Sequence, residues 1–164
     1  MISRFLSTAL LVAASSAWAL EVEGVRVEDK ATVGGHQLVL NGAGVRKRAI
    51  FKLYVGSLYV PAKARSTQDV LARSPRRIQL NLMRNLSADQ LVGAMMDGLK
   101  QNLTAGEMQA ITVQTGELAA IMKSFGQAEE GSVVTLDFDG DATTVGLDGA
   151  VRGSIRGEAF NEAL

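Results

Sequence analysis

An α+β fold, one large antiparallel sheet with helices packed on it, follows from three features of the sequence. Strand-like segments occupy both ends of the chain, two capped amphipathic helices lie between them, and tight turns join the last strands. The order strands, helices, strands lacks the regular alternation of strand and helix that a parallel sheet requires.

Taken in order, Glu21 to Val27 and Gln37 to Leu40 predict two short strands about the Gly34-Gly35 turn. Gly42-Ala43-Gly44 predicts a loop that sets Arg46 at its mouth, because paired glycines permit sharp turns. Ala49 to Val60 is near-continuously apolar and ends at Pro61, the pattern of a central strand covered on both faces. Its alternation puts Tyr54 and Tyr59 on opposite faces, so one can share an interior with Arg46 while the other, Tyr59, packs in the core. Ser66 caps a short helix that stops before Pro75. Ile78, Leu80 and Leu82 alternate with polar residues, marking a half-buried strand.

Ser87 with Gln90, and Thr104 with Glu107, have the spacing of capping boxes. The first opens a helix with Leu91, Met95 and Leu99 on one stripe; the second opens a helix running to Phe125 and stopped by Gly126. Val134, Leu136 and Phe138 begin a three-strand meander with turns at Asp139-Gly140-Asp141 and Asp148-Gly149. Gly157 to Leu164 opens a last helix whose pattern is still running at the final residue, so the reading expects it to be truncated.

Met1 to Ala19 has Arg4, an apolar run and the small-residue end Ala17-Trp18-Ala19, the arrangement of a signal peptide. The expectation is a mature domain over residues 20–164, periplasmic or secreted, with no transmembrane segment, since nothing later approaches roughly 20 apolar residues. The chain has 17 basic and 17 acidic residues, which offers no field for nucleic acid. It has no cysteine, which excludes disulfides, thiolate metal sites and a cysteine nucleophile.

His36 alone cannot build a metal site or a serine triad. Asp137, Asp139 and Asp141 have the spacing of a calcium loop, but Ala142 stands where that loop needs glycine and Asp148 where it needs glutamate. Gly42-x-Gly44 is followed by a strand, where a dinucleotide fingerprint needs a helix. No metal or cofactor is expected. Two sequons, Asn85-Leu86-Ser87 and Asn102-Leu103-Thr104, matter only in a eukaryotic secretory pathway. Arg46 reads either as a structural arginine or as a ligand group, and the methionines Met95, Met96, Met108 and Met122 either as core or as an adaptable pocket lining.

Gly42-Ala43-Gly44-Val45-Arg46 followed by Phe51 to Val60 resembles the G-A-G-x-R motif and following strand of the chalcone isomerase fold family. Val133 to Phe138, Val145 to Gly149 and Gly157 to Leu164 are similar to its bacterial, exported branch. The resemblance implies an open-faced antiparallel β-sandwich with helices on the large sheet. In the plant enzymes that arginine, a strand threonine, a helix tyrosine and asparagine, and a later threonine organise the cyclisation of a chalcone. Here the arginine is Arg46, the threonine position is Tyr54, the tyrosine and asparagine positions fall on Leu91 and Gly98, and the last threonine would lie past Leu164. One of the four comparable positions is retained.

Non-catalytic plant relatives hold a fatty-acid carboxylate with the same arginine and a tyrosine, and paired planar donors suit that group. The resemblance therefore implies a binder of a small amphipathic carboxylate such as a fatty acid. Arg46 and Tyr54 would hold the carboxylate, with Leu91, Met95 and Gly98 lining the cleft. An isomerase or intramolecular lyase on another substrate, and a non-catalytic envelope protein that binds a partner, are the alternatives.

Overall fold

The structure, a computed structural model, describes residues 19–164. The leader expected over Met1 to Ala19 lies outside the described residues, save for Ala19. Eleven strands are present among the described residues: β1 (Leu20–Val22), β2 (Val25–Val27), β3 (Lys30–Val33), β4 (His36–Arg48), β5 (Phe51–Val60), β6 (Arg76–Leu82), β7 (Leu86–Ser87), β8 (Gln127–Ala128), β9 (Val133–Asp139), β10 (Ala142–Leu147) and β11 (Ala150–Arg156). Five helices accompany them among the same residues: α1 (Thr67–Leu71), α2 (Ala88–Asn102), α3 (Ala105–Ala110), α4 (Thr112–Lys123) and α5 (Glu158–Ala163).

Seven strands form one antiparallel sheet in the order β11-β10-β9-β6-β5-β4-β3. The period of two sorts each strand between its faces. Leu82, Leu136, Phe138 and Val145 enter a core with Leu91, Leu99, Leu118 and Met122 of the helices. On the other face the β1-β2 hairpin supplies Val22, Val25 and Val27, which pack with Leu38, Val55 and Tyr59. The Tyr59 hydroxyl, in that core, donates to the Glu28 carbonyl at 2.9 Å. Where this small hairpin does not reach, the open face is polar: Arg77 pairs across the register with Asp137 through two hydrogen bonds of 2.5 and 2.7 Å. This is the α+β, open-faced arrangement expected.

The structure corrects the expected local geometry in four places. Gly42 and Gly44 make no loop: β4 runs unbroken from His36 through Arg48, neither glycine has a positive φ, and the strand adapts by register shifts at Leu40/Gly42 and Arg46/Lys47. The turn comes later, at Ala49-Ile50, so the central strand begins at Phe51 and not at Ala49. The first strand pair is also different, because Glu21 to Val27 folds on itself about Glu23-Gly24 while β3 pairs with β4.

Finally, the helix expected from Thr104 to Phe125 is two helices, broken at buried Ile111 with φ −106° and ψ 12°. Ile111, Thr112 and Val113 are consecutive β-branched residues, which weaken the helix where the buried isoleucine fixes the bend. Both capping boxes are present as expected. They also assign a local role to the hydroxyls of the two sequons, since Ser87 and Thr104 cap α2 and α3. Among the described residues, no helix is long and apolar enough to cross a membrane.

Candidate functional site

The long β4-β5 hairpin places Arg46 directly opposite Tyr54. Residues so paired present their side chains to the same face, and both line a cavity of about 210 Å³ between the sheet and α2. Leu91, Met95 and Gly98 line it from α2, following one stripe of the helix at spacings of four and three residues. All five residues singled out in the sequence thus border one space.

Several contributors were missed. Asn102 continues the α2 stripe by one further turn, so its spacing carried a usable signal. Ile78 and Leu80 come from the inward side of β6, which the alternation already marked. Leu136 of β9 and Leu164 after α5 join the wall through tertiary packing alone, whereas Met122 of α4 is one of the methionines already offered as a pocket lining. Met95 and Met122 belong both to this lining and to the main core, so the two readings of the methionines coincide at those positions.

Arg46 is half-buried and takes part in none of the six ion pairs among the described residues. Burial raises the Tyr54 pKa above its ordinary value, and the nearby Arg46 charge opposes that shift less strongly. The phenol therefore remains a proton donor beside an uncommitted guanidinium. A fork of charged donors with a neutral hydroxyl, set at the edge of an apolar space, accepts a carboxylate and leaves the rest of the molecule to the hydrophobic wall.

The cavity continues into an open groove of about 870 Å³, which shares Ile78, Asn102, Ala163 and Leu164 with it. Gly42, Gly44 and Gly56 lie along this groove, with Gly44 opposite Gly56. A Cβ at Gly42 or Gly44 would meet nothing within 4 Å, so these glycines leave the backbone bare along the floor instead of relieving a crowded packing. Arg76, only 8% exposed, also borders the groove. It donates to the Asn161 carbonyl at 2.6 Å and lies 4.8 Å from the centroid of the Phe138 ring, tying α5 to the sheet.

Among the described residues no acidic or histidine cluster could hold a metal ion. Asp137 and Asp141 are engaged by Arg77 and Arg156 instead. His36 is exposed at the start of β4, after the Gly34-Gly35 turn.

A large antiparallel sheet covered by helices on one face is the arrangement of the chalcone isomerase class of fold. The chain belongs to the chalcone isomerase-like family, whose model matches residues 19–164. Among solved structures it is similar to a fatty-acid binding protein of Arabidopsis thaliana, with 11% identity and a TM-score of 0.67, over 89% of this chain and 86% of that one. At that identity the likeness is one of fold. No curated protein sequence matches the chain.

Proposed function

We propose that this chain binds a small amphipathic carboxylate of the fatty-acid class in the cleft between sheet and helices. The observation that carries this reading is the Arg46–Tyr54 pair, which takes part in no ion pair among the described residues and borders an otherwise mainly apolar cavity. Arg46 grips the carboxylate, the Tyr54 hydroxyl donates to it, and the apolar chain runs along Leu91, Met95 and Gly98 toward the groove. The ligand named for the Arabidopsis neighbour is of the same class, which supports the choice by analogy.

The proposal includes the absence of chalcone cyclisation. Leu91 and Gly98, which stand at the positions matched to the plant tyrosine and asparagine, bring no proton donor to the wall. It also includes export to the periplasm or the medium, on the strength of the Met1 to Ala19 pattern.

Mass spectrometry of the organic extract of natively purified protein should find monocarboxylic acids at close to one per chain, and the intact mass should begin at Leu20. Cyclisation of a chalcone well above the spontaneous rate would replace this reading with the isomerase one. Failure to find or to bind any carboxylate would remove it.

A further inference from the structure

The tip of the β4-β5 hairpin serves neither the core nor the cavity. Ile50 is 86% exposed and Phe51 53% exposed, next to each other at the end of the chain's longest hairpin. Lys47, Arg48 and Lys52 stand around them in the open, and the Arg84 guanidinium lies 4.7 Å from the centroid of the Phe51 ring. One carboxylate answers this cluster: Glu23, 2.7 Å from the Lys52 ammonium and 3.9 Å from that of Lys47. Cations remain in excess.

The turn itself uses unfavourable chemistry. Two-residue hairpin turns favour glycine, asparagine or aspartate, yet here Ala49 is held at φ 52° and is followed by a β-branched isoleucine in water. Folding gains nothing from an exposed isoleucine at that point, and departures from local preference of this kind concentrate at functional places.

We propose that this tip docks on an anionic phospholipid surface, with Ile50 and Phe51 entering the interfacial region and Lys47, Arg48, Lys52 and Arg84 lying against the headgroup phosphates. Apolar residues flanked by basic ones have the composition of interfacial binding, in which buried apolar area and attraction to anionic lipid act together. The shape favours a bilayer over a protein. Two side chains on a narrow protrusion offer far less than the roughly 800 Å² per partner of a stable protein interface. The Arg46–Tyr54 pair lies just inside the Lys47–Lys52 pair on the same hairpin, so docking brings that end of the cavity close to the headgroups. This last consequence rests on the carboxylate reading; the docking does not.

The test is sedimentation of the full chain with vesicles of mixed phosphatidylglycerol and phosphatidylcholine, and with phosphatidylcholine alone. Wild type is compared with the double variants Ile50→Ser/Phe51→Ser and Lys47→Glu/Arg48→Glu. Every form carries the same N-terminal segment, so the differences report the tip, and melting temperatures confirm that each variant folds. Wild type should partition onto the anionic vesicles and each double variant about tenfold less. Gly98→Leu, which fills the cavity without altering the tip, should sediment as wild type even where it abolishes carboxylate binding, so failure of the docking and failure of the ligand reading are distinguishable. Equal partition of all forms, or partition of none, would overturn the proposal. Loss in the charge variant with no change in the serine variant would also overturn it, since the attraction would then be electrostatic adsorption with no entry of Ile50 and Phe51 into the interface.

Discussion

Arg46 carries the binding hypothesis, and its replacements separate grip from charge. Arg46→Ala should weaken carboxylate binding by about 2–5 kcal/mol, since it removes one partner of a partly desolvated charge pair. Arg46→Lys should recover only part, because a compact ammonium cannot reproduce two planar donors. Titration calorimetry with a monocarboxylate and its methyl ester would read both. A structural arginine would leave the preference for acid over ester unchanged and lower the melting temperature of the ligand-free protein instead.

Tyr54 gives a pH signature. Burial raises its native pKa, with Arg46 as the weaker opposing influence. The unfolded chain therefore loses this proton first as pH rises beyond about 10, and the native state binds more protons. The stabilisation is full below the unfolded pKa and is lost as pH rises through the native one. Tyr54→Phe should accordingly flatten part of the alkaline fall in urea-denaturation stability. Tyr59, raised by burial as well, keeps its own share. An alkaline limb identical in wild type and Tyr54→Phe would show that Tyr54 is not desolvated.

At the scale of the element, the hairpin and α2 each contain a glycine-sensitive position, with opposite signs. Ala49 at φ 52° occupies the left-handed region, which costs an L-residue about 1–2 kcal/mol relative to glycine, while glycine loses about 0.5–1 kcal/mol more in backbone entropy. Ala49→Gly should therefore stabilise the protein by roughly 0.5 kcal/mol, measurable as a shift in denaturation midpoint at unchanged slope. Gly98 is an interior helix residue, and a Cβ there would meet nothing within 4 Å. Gly98→Ala should raise stability by about 0.8–1 kcal/mol through helix propensity alone. The larger Gly98→Leu should retain much of that gain while blocking the ligand. Binding that survived Gly98→Leu at wild-type affinity would exclude α2 as a wall of the site.

At the scale of the whole molecule, the two faces of the sheet have different tasks. One is closed by β1-β2 around Tyr59 and Val55, with the Arg77–Asp137 pair on its open, polar part. The other carries the helices, and there the core gives way to a cavity and then to a groove. β5 links them: its alternation sends Tyr59 to the first and Tyr54 to the second, while its outer end carries the exposed Phe51. The proposed ligand grip, the core packing and the proposed membrane contact are thus spaced along one strand.

The sequence by itself determined the α+β class, the succession of strands, then helices, then strands, both capping boxes, the two faces of β5 and the apolar stripe of Leu91, Met95 and Leu99 on α2. These depend on interactions among residues a few positions apart, where periodicity and side-chain-to-backbone hydrogen bonds act directly. It misplaced the turn, because Gly42 and Gly44 carry the usual turn signal whereas the real turn is made of Ala49 and Ile50, which carry none. It also ran α3 and α4 together, since the break at Ile111 is set where that side chain is buried. Only the tertiary structure decided that Leu136 and Leu164 close the space around Arg46, and that the glycines of β4 and β5 floor a groove. Those positions are far apart in the chain and meet only through strand register and the seating of helices on the sheet, which no local pattern encodes.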